Sequence, residues 1–389
     1  MRIAIVWNHE SRLLDGSFRF EQYLAGFRAL GHEPFLVCTR SSAAGVEGPG
    51  RLADDADELR ASGFWREVAA DVAVIVTWHR MSRVLEAMAE AGTRVVALAD
   101  SDGRVGFRLF PRFTLERILA YGDGGLDRAR RLKYWLGRWL SDLRGRSEED
   151  EEALRSTRAS DVLALGHAEG IRHFRRFLAH HGEGALGSRL VEVPLAIGAS
   201  FLACPIPATK DDLVVAVGRW HDPQKNAPLL ARALELFLAD RPRTSVEIFG
   251  AGGEDVFAPL AGKVDYRGVA RQEVVAETLS RARSIVFSSR WEGSPHAATE
   301  ALALGATLVG TPIPSLESWT ADGRFGRVAG RARPRDLARA LVLEHRAWDA
   351  GERHGPAIAG HWRPRLSPEG VCGRLLAPLG VARASPSGV

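Results

Sequence analysis

The chain has 389 residues, 46% of them hydrophobic and 26% charged, a composition typical of globular proteins with two to three domains. The formal net charge is +4 and the three cysteines are scattered, which favours neither a nucleic-acid partner nor a cysteine zinc site or disulfide framework. No apolar run approaches the ~18 residues of a membrane span, and the N-terminus lacks the pattern of a signal peptide. We therefore expect a cytoplasmic protein.

The N-terminal half alternates short apolar runs with helical patterns. Strands are predicted at 2–7, 33–38, 71–78, 93–99, 161–165 and 190–193, and a helix at 20–30. Because the strands are continuously apolar, we expect a parallel sheet covered on both faces. A segment rich in proline and charge, residues 194–212, is predicted to be the linker.

The C-terminal half repeats the alternation. Strands are predicted at 213–217, 245–249, 264–266, 285–288 and 307–310, and helices at 228–239, 273–282, 295–304 and 334–345. Two doubly wound sheets of this kind bind ligands at the carboxyl ends of their strands, so we expect a cleft between two domains.

The most specific segment contains two glutamates eight positions apart, Glu292 and Glu300. Ser294 is a good N-cap and Pro295 suits the first helical position, so a helix is predicted to begin between them. The amides of His296 and Ala297 would then offer a phosphate site at the helix N-terminus. On spacing alone, a capped surface helix with two solvated glutamates explains the pattern equally well.

A second cluster follows the first strand of the C-terminal half. Arg219 and Lys225 lie in the loop between that strand and the next helix, where they could supply two cations to a diphosphate. The alternative is a solvated basic loop. The chain has only four lysines against 48 arginines, which makes a lysine at this position slightly more informative.

Four motifs in order resemble those of the retaining GT-B glycosyltransferases of family 4, over about residues 214–344. They are Gly218-Arg219 with Lys225-Asn226, Phe249-Gly250 with Gly252-Gly253, Tyr266-Arg267-Gly268, and Glu292 with Glu300 followed by Ala301-Leu302-Ala303 and Gly305. The N-terminal half matches more loosely, at 31–34 and 197–198. The resemblance implies an α/β GT-B fold of two Rossmann-like domains: 1–200 for the acceptor, 201–360 for the nucleotide sugar, and a crossover helix at 361–380.

The resemblance also implies roles for individual residues. Arg219 and Lys225 match the pair that binds the donor diphosphate and stabilises the leaving group. Glu292 matches a glutamate near the transferred sugar, and Glu300 matches the one that accepts the ribose hydroxyls. The family segment whose backbone contacts sugar and phosphate corresponds to Ser294, Pro295, His296 and Ala297. The family segment that contacts the base corresponds to Gly268 and Val269. The family uses no metal and no cofactor beyond its donor, for which UDP- or GDP-sugars are expected.

The chain departs from the family in its N-terminal half. The family often has a histidine near the sugar after the fourth strand, where this chain has Asp100, with His79 as the nearest alternative. Asp100-Ser101-Asp102 also imitates an Asp-x-Asp metal motif, but that motif belongs to a different architecture and acidic pairs in loops are usually turn residues. Gly16 lies where the family has a glycine-rich loop that touches the donor, and a simple turn explains it as well.

Residues 104–146 contain 11 basic and four acidic residues, and a helix is predicted at 126–143. Its apolar face would carry Leu132, Trp135, Leu136, Trp139, Leu140 and Leu143. Such a helix suits peripheral contact with the inner face of an anionic membrane or an acidic acceptor. We favour the other interpretation, in which the helix packs on its own sheet.

We expect a retaining, metal-independent glycosyltransferase that moves a sugar from a nucleoside-diphosphate donor to an acceptor hydroxyl by a front-face mechanism. The acceptor, whether glycan, lipid-linked or a small molecule, is not specified by the sequence. Two alternatives remain, namely a sugar-nucleotide epimerase, which needs no acceptor, and a sugar-nucleotide-binding protein without catalysis.

Overall fold

The computed structural model describes residues 1–7, 20–39, 50–77, 81–121, 125–142 and 147–381. The chain divides into two compact units. The first contains residues 1–118, 124–196 and 367–389, and the second contains residues 119–123 and 197–366.

The first unit is built on a parallel sheet of seven strands in the order β3-β2-β1-β4-β5-β6-β7. The strands are β1 (Arg2–Trp7), β2 (Glu33–Thr39), β3 (Gly50–Ala53), β4 (Val72–Thr77), β5 (Arg94–Ala99), β6 (Val162–Leu165) and β7 (Leu190–Glu192). Six of them were predicted to within two residues. The edge strand β3 was missed, because Gly-Arg-Leu-Ala has neither an apolar run nor an alternating pattern.

Seven helices lie in the described part of the N-terminal half. They are α1 (Phe20–Ala29), α2 (Ser62–Val68), α3 (Ser82–Glu90), α4 (Pro111–Ala120), α5 (Gly125–Asp142), α6 (Glu148–Ala159) and α7 (Ala168–His180). Ile3 and Ile5 of β1 pack in the core cluster that contains α1, whereas Ala4 and Val6 pack in the cluster that contains α2 and α3. Both faces of the strand are buried, which explains its continuously apolar sequence.

The second unit contains a parallel sheet of six strands in the order β10-β9-β8-β11-β12-β13. The strands are β8 (Asp211–Val217), β9 (Ser245–Phe249), β10 (Asp265–Gly268), β11 (Ala282–Phe287), β12 (Thr307–Gly310) and β13 (Gly326–Val328). The five predicted strands are confirmed, and the short edge strand β13 was missed. The linker predicted at 194–212 is wrong at its end, because β8 already begins at Asp211 and a short helix, α8 (Ala199–Ala203), lies within it.

The helices of the second unit cover both faces of its sheet. Besides α8, they are α9 (Ala227–Asp240), α10 (Glu254–Phe257), α11 (Gln272–Arg281), α12 (His296–Ala303), α13 (Pro314–Thr320), α14 (Pro334–Asp349) and α15 (Gly355–Leu366). One core cluster joins the sheet to α9 and α14, and another joins it to α11, α12, α13 and α15. The last helix, α16 (Pro368–Leu376), belongs to the first unit, where Val371, Cys372 and Leu375 are buried in the cluster that contains α1.

Helix α5 is present where a helix was predicted, but the expectation that its apolar face packs on its own sheet is wrong. Leu132, Leu136, Trp139 and Leu140 are exposed. The ring of Trp135 lies 5.5 Å from that of Phe107. The helix thus contacts the first unit through the side of α5 that carries Trp135, next to the exposed apolar face. Within the described ranges, no helix combines the length and apolarity needed to cross a bilayer.

Candidate functional site

The loops that follow β8 and β9 are held together by backbone contacts at the carboxyl edge of the second sheet. The Gly218 amide donates to Phe249 O at 3.1 Å, and the Trp220 amide donates to Ala251 O at 2.8 Å. Gly250 has a φ of 112°, and a Cβ there would lie 1.8 Å from Gly218 O. Glycine is therefore required for this close approach, which positions the loop that carries Arg219 and Lys225.

A turn of 3-10 helix at 223–225 sets the direction of Lys225. Its N-cap is Asp222, whose Oδ1 accepts from the Gln224 amide at 2.9 Å. Asn226 is left-handed, with a φ of 50°, and α9 starts immediately afterwards. The side chain of Lys225 reaches the loop that follows β11, where its Nζ contacts Glu292.

In that second loop, Glu292 accepts hydrogen bonds from three side chains. Lys225 Nζ lies 2.5 Å from Glu292 Oε1, and Ser289 Oγ donates to the same oxygen at 2.6 Å. Gln224 Nε2 donates to Glu292 Oε2 at 3.0 Å. Because the side chains of Lys225 and Glu292 are only 16% and 7% exposed, this is a largely desolvated, charge-assisted contact.

Arg219, the other predicted cation, lies in a different environment. Its side chain is 69% exposed, and its Nη2 is 3.3 Å from Asp222 Oδ2. Lys225 and Glu292 are thus brought into direct contact by the fold, whereas Arg219 extends into solvent from the same loop.

Helix α12 begins one residue later than predicted. Pro295, not Ser294, is its N-cap, because Pro295 has an extended ψ of 109° and its carbonyl accepts from the Ala298 amide at 3.0 Å. The amides of His296 and Ala297 precede that first hydrogen bond, so they have no partner within the helix. Their role as a phosphate site stays a prediction. Ser294 is buried, and its hydroxyl has no hydrogen-bond partner among the described residues.

Glu300 lies on α12 and is 4% exposed. The C-terminal end of the same helix meets two cations. Lys210 Nζ donates to Leu304 O at 2.6 Å and also to Ser280 O, and Arg363 Nε donates to Ala303 O at 2.9 Å. Both cations complement the negative end of the helix dipole. Burial lowers the pKa of Lys210 to about 7.

The segment predicted to face the base lies at the end of β10. The Gly250 amide donates to Gly268 O at 2.7 Å, which ties this strand end to the glycine-rich loop. Gly268 is left-handed with a φ of 61°, and Val269 is 79% exposed.

The candidates of the N-terminal half lie apart from this cluster in the chain. Asp100 directly follows β5 and is exposed, and it belongs to the first unit. Asp102 is buried, and Arg104 donates to its Oδ2 through Nε at 2.9 Å. Gly16 and His79 lie outside the described residues. Within the described residues, no three side chains of His, Cys, Asp or Glu are grouped as a metal site requires.

Three polar residues of the site were missed by sequence reasoning. Gln224 and Ser289 bind Glu292, and Ser288 Oγ donates to Lys225 O at 2.6 Å. Each stands one to four positions from a residue that was singled out. Their position beside the motif is the only signal in the sequence that could have indicated them.

A Ser–His–Asp chain also occurs in the second unit. Ser284 Oγ lies 2.9 Å from His345 Nε2, and His345 Nδ1 lies 2.7 Å from Asp212 Oδ1. Ser284 and His345 are fully buried, so no substrate can reach the hydroxyl. These hydrogen bonds lie at the amino ends of β8 and β11, at the opposite edge of the sheet from Lys225. We infer that they stabilise the fold.

Comparison with known proteins agrees with the layout of the second unit. Residues 211–343 match the family model described as Glycosyl transferases group 1. This range contains every candidate residue from Arg219 to Glu300.

One curated relative is a phosphatidyl-myo-inositol mannosyltransferase of Mycolicibacterium smegmatis, 27% identical over 168 residues. The match covers 41% of this chain and 43% of the relative's length.

Two solved structures resemble almost the whole chain. The Anabaena protein HepE in complex with UDP aligns with a TM-score of 0.62 at 12% identity, covering 98% of this chain and 100% of the other. The lipopolysaccharide outer core galactosyltransferase WaaB in its apo form aligns with a TM-score of 0.59 at 14% identity, covering 97% and 99%. These likenesses confirm the predicted fold class, an α/β GT-B fold with two Rossmann-like parallel sheets.

Proposed function

We propose that this protein is a glycosyltransferase that moves a sugar from a nucleoside-diphosphate sugar to an acceptor hydroxyl. The observation that carries the proposal is the Lys225–Glu292 pair, which is held by two loops at the sheet edge beside the N-terminus of α12. A buried cation next to helix amides is a site for a dianionic leaving group, and the match to the glycosyltransferase family model covers this region.

In this proposal the donor diphosphate binds at the amides of His296 and Ala297, between the charges of Lys225 and Arg219. Glu300 accepts hydrogen bonds from the ribose, and Gly268 and Val269 contact the base. Glu292 positions Lys225 and faces the transferred sugar. UDP is the first nucleotide to test, because the related Anabaena structure is a complex with UDP.

The transfer we propose proceeds with retention and without a metal ion. The bond between the anomeric carbon and the phosphate oxygen breaks, and the acceptor oxygen forms a bond to that carbon on the same face. The acceptor proton moves to the departing β-phosphate. Lys225, Arg219 and the helix dipole stabilise the charge that develops on the diphosphate. Because these groups are already in place, little water has to reorient as the charge develops.

Donor binding is tested by thermal unfolding in the presence of UDP-, GDP-, ADP- and dTDP-sugars. A ligand present at about 100 times its dissociation constant adds about 2.7 kcal/mol to stability, so one nucleotide should raise the melting temperature clearly. Lys225→Met should reduce the shift, whereas the matched control Lys263→Met, at an exposed lysine of the same unit, should leave it unchanged.

Catalysis is tested by following the donor sugar with EDTA present, alone and with a panel of acceptors. We expect transfer or slow hydrolysis with the anomeric configuration retained. Epimerised donor without acceptor would identify an epimerase, and binding without turnover would identify a non-catalytic protein. Activity lost in EDTA and restored by manganese would contradict the metal-independent mechanism.

Glu300 offers a separate test of the binding mode. Glu300→Ala should raise the donor KM and weaken the free nucleoside diphosphate about tenfold, since hydrogen bonds to a charged group are worth about 1.5–3 kcal/mol. Unchanged affinity for the free nucleoside diphosphate would rule out contact with the ribose.

A further inference from the structure

Helix α5 presents a row of large apolar side chains to solvent. Leu132, Leu136 and Leu140 are 47%, 48% and 49% exposed, and Trp139 is 36% exposed. At about 100° of rotation per residue these four positions fall in one sector of the helix. We call Leu132, Leu136, Trp139 and Leu140 the apolar stripe of α5.

The helix is anchored to the first unit through a different sector. Trp135 stacks near Phe107, with ring centroids 5.5 Å apart. Asp127 and Arg131, which lie on the same side as Trp135, form an i,i+4 ion pair at 3.0 Å. The ring contact between α5 and the first unit therefore lies outside the apolar stripe.

Basic side chains border the stripe on both sides. Arg128 lies at one border, and Lys133 and Arg130 lie beyond the other, all three exposed. The helix carries five basic and two acidic residues. An apolar stripe between basic borders matches the interface of an anionic bilayer, where apolar groups enter the headgroup region and long cations reach the phosphates.

A second copy of the chain fits this surface less well. A symmetric dimer through α5 would bring its basic borders close to the same borders of the partner, and like charges juxtaposed in an interface are unfavourable. A neutral apolar surface would offer no counter-charge to Arg130 and Lys133.

We propose that α5 docks this protein on an anionic phospholipid surface, with the apolar stripe in the headgroup region and Arg128, Arg130 and Lys133 at the lipid phosphates. The inference does not depend on the proposed enzymatic activity, because no nucleotide sugar takes part in docking.

The experiment is vesicle flotation of the full chain, with vesicles of phosphatidylcholine alone and of phosphatidylcholine with phosphatidylglycerol. The protein should float with the anionic vesicles only, and added salt should weaken the binding. Arg130→Gln with Lys133→Gln should lower the partition coefficient about 25-fold, taking about fivefold for each charge near the surface. The matched control is Arg335→Gln with Arg339→Gln, two exposed arginines of α14.

The apolar stripe is tested separately with Leu136→Ser and Leu140→Ser, against Leu343→Ser at an exposed leucine of α14. All these positions are exposed, so the variants should fold, and equal melting temperatures verify this. Loss of flotation in the stripe variants alone supports the proposal. It is overturned if the wild type does not float with anionic vesicles, if the stripe variants float like the wild type, or if they abolish self-association in sedimentation instead of vesicle binding.

Discussion

The ammonium of Lys225 lies 2.5 Å from Glu292 Oε1, and both side chains are largely buried. Two side chains in direct contact act as a unit, so the effects on rate of removing Lys225 and of removing Glu292 are not expected to be additive. We therefore predict that Lys225→Met and Glu292→Gln each lower kcat about 100-fold, and that the double variant is slower than either single one by less than about tenfold. Steady-state kinetics on the four proteins measure this.

Glu292→Gln also places an amide where the carboxylate accepts from Lys225, Gln224 and Ser289, so one donor then faces another. Nucleoside-diphosphate affinity should stay nearly intact if Glu292 acts on the sugar. Affinity lost in proportion to rate would show that Glu292 only holds the loop, and fully additive losses would contradict the coupling.

Substitution of Arg219 should lower activity without lowering stability. Its side chain is 69% exposed and its pair with Asp222 is solvated, so Arg219→Ala should change the free energy of unfolding by less than about 0.5 kcal/mol. Its contact with the diphosphate would form only when donor is bound, so kcat/KM should fall about 100-fold. The control is Arg232→Ala, another exposed arginine with an i,i+3 acidic partner, which should retain full activity. An active Arg219→Ala enzyme would remove Arg219 from the site.

At the scale of the element, α12 links the candidate site to the interior of the second unit. Its N-terminal amides lie at the proposed phosphate site, and its C-terminal carbonyls accept from Lys210 and Arg363. At the C-terminal end, these two side chains supply charge of the sign that the helix dipole favours.

Lys210 gives this helix a pH dependence. Its pKa is lowered by burial from 10.5 to about 7, so between these values the unfolded chain holds a proton that the folded chain has released. Stability attributable to Lys210 then rises with pH across this window. We predict that the difference in unfolding free energy between wild type and Lys210→Met grows by more than about 1 kcal/mol from pH about 7 to about 10.

Denaturant titrations at several pH values measure that difference. Lys263→Met, at an exposed lysine, provides the control and should differ from the wild type by a constant amount. If the difference in unfolding free energy between the wild type and Lys210→Met is constant or falls with pH, Lys210 is not neutral in the folded state at high pH.

At the scale of the whole molecule, much of the fold could be predicted because each sheet is buried on both faces. Ala73–Thr77 and Thr307–Gly310 are recognisable as strands from their apolar runs alone. The edge strands β3 and β13 carry Gly-Arg-Leu-Ala and Gly-Arg-Val, where pairing with a neighbour rather than local sequence decides the conformation.

The candidate site could be predicted only in part. Motif order indicated Lys225 and Glu292, but their direct contact joins residues 67 positions apart and depends on how two loops pack. The rotation of α5 is also a tertiary property, since the helical pattern shows that a stripe exists without showing whether it faces the protein or solvent. The start of α12 differs from the prediction by one residue, which is within the usual variation of helix boundaries.

The chain leaves its second unit after α15 and ends in the first, where α16 packs against α1. Leu375 is fully buried in that core, and a Cβ at Gly26 would lie 2.4 Å from Pro368 O, so the two helices are in close contact. We predict that Leu375→Ala lowers the free energy of unfolding of the first unit by about 2–5 kcal/mol, the usual cost of a cavity left by a buried leucine. The nucleotide-induced stabilisation of the second unit should persist, because none of its candidate residues lies in α16. Calorimetry with and without UDP resolves the two effects, with Leu343→Ala as the exposed control. If Leu375→Ala unfolds like the wild type, α16 is not part of the first core. If Leu375→Ala is destabilised and also loses the stabilisation by UDP, the two units do not unfold independently.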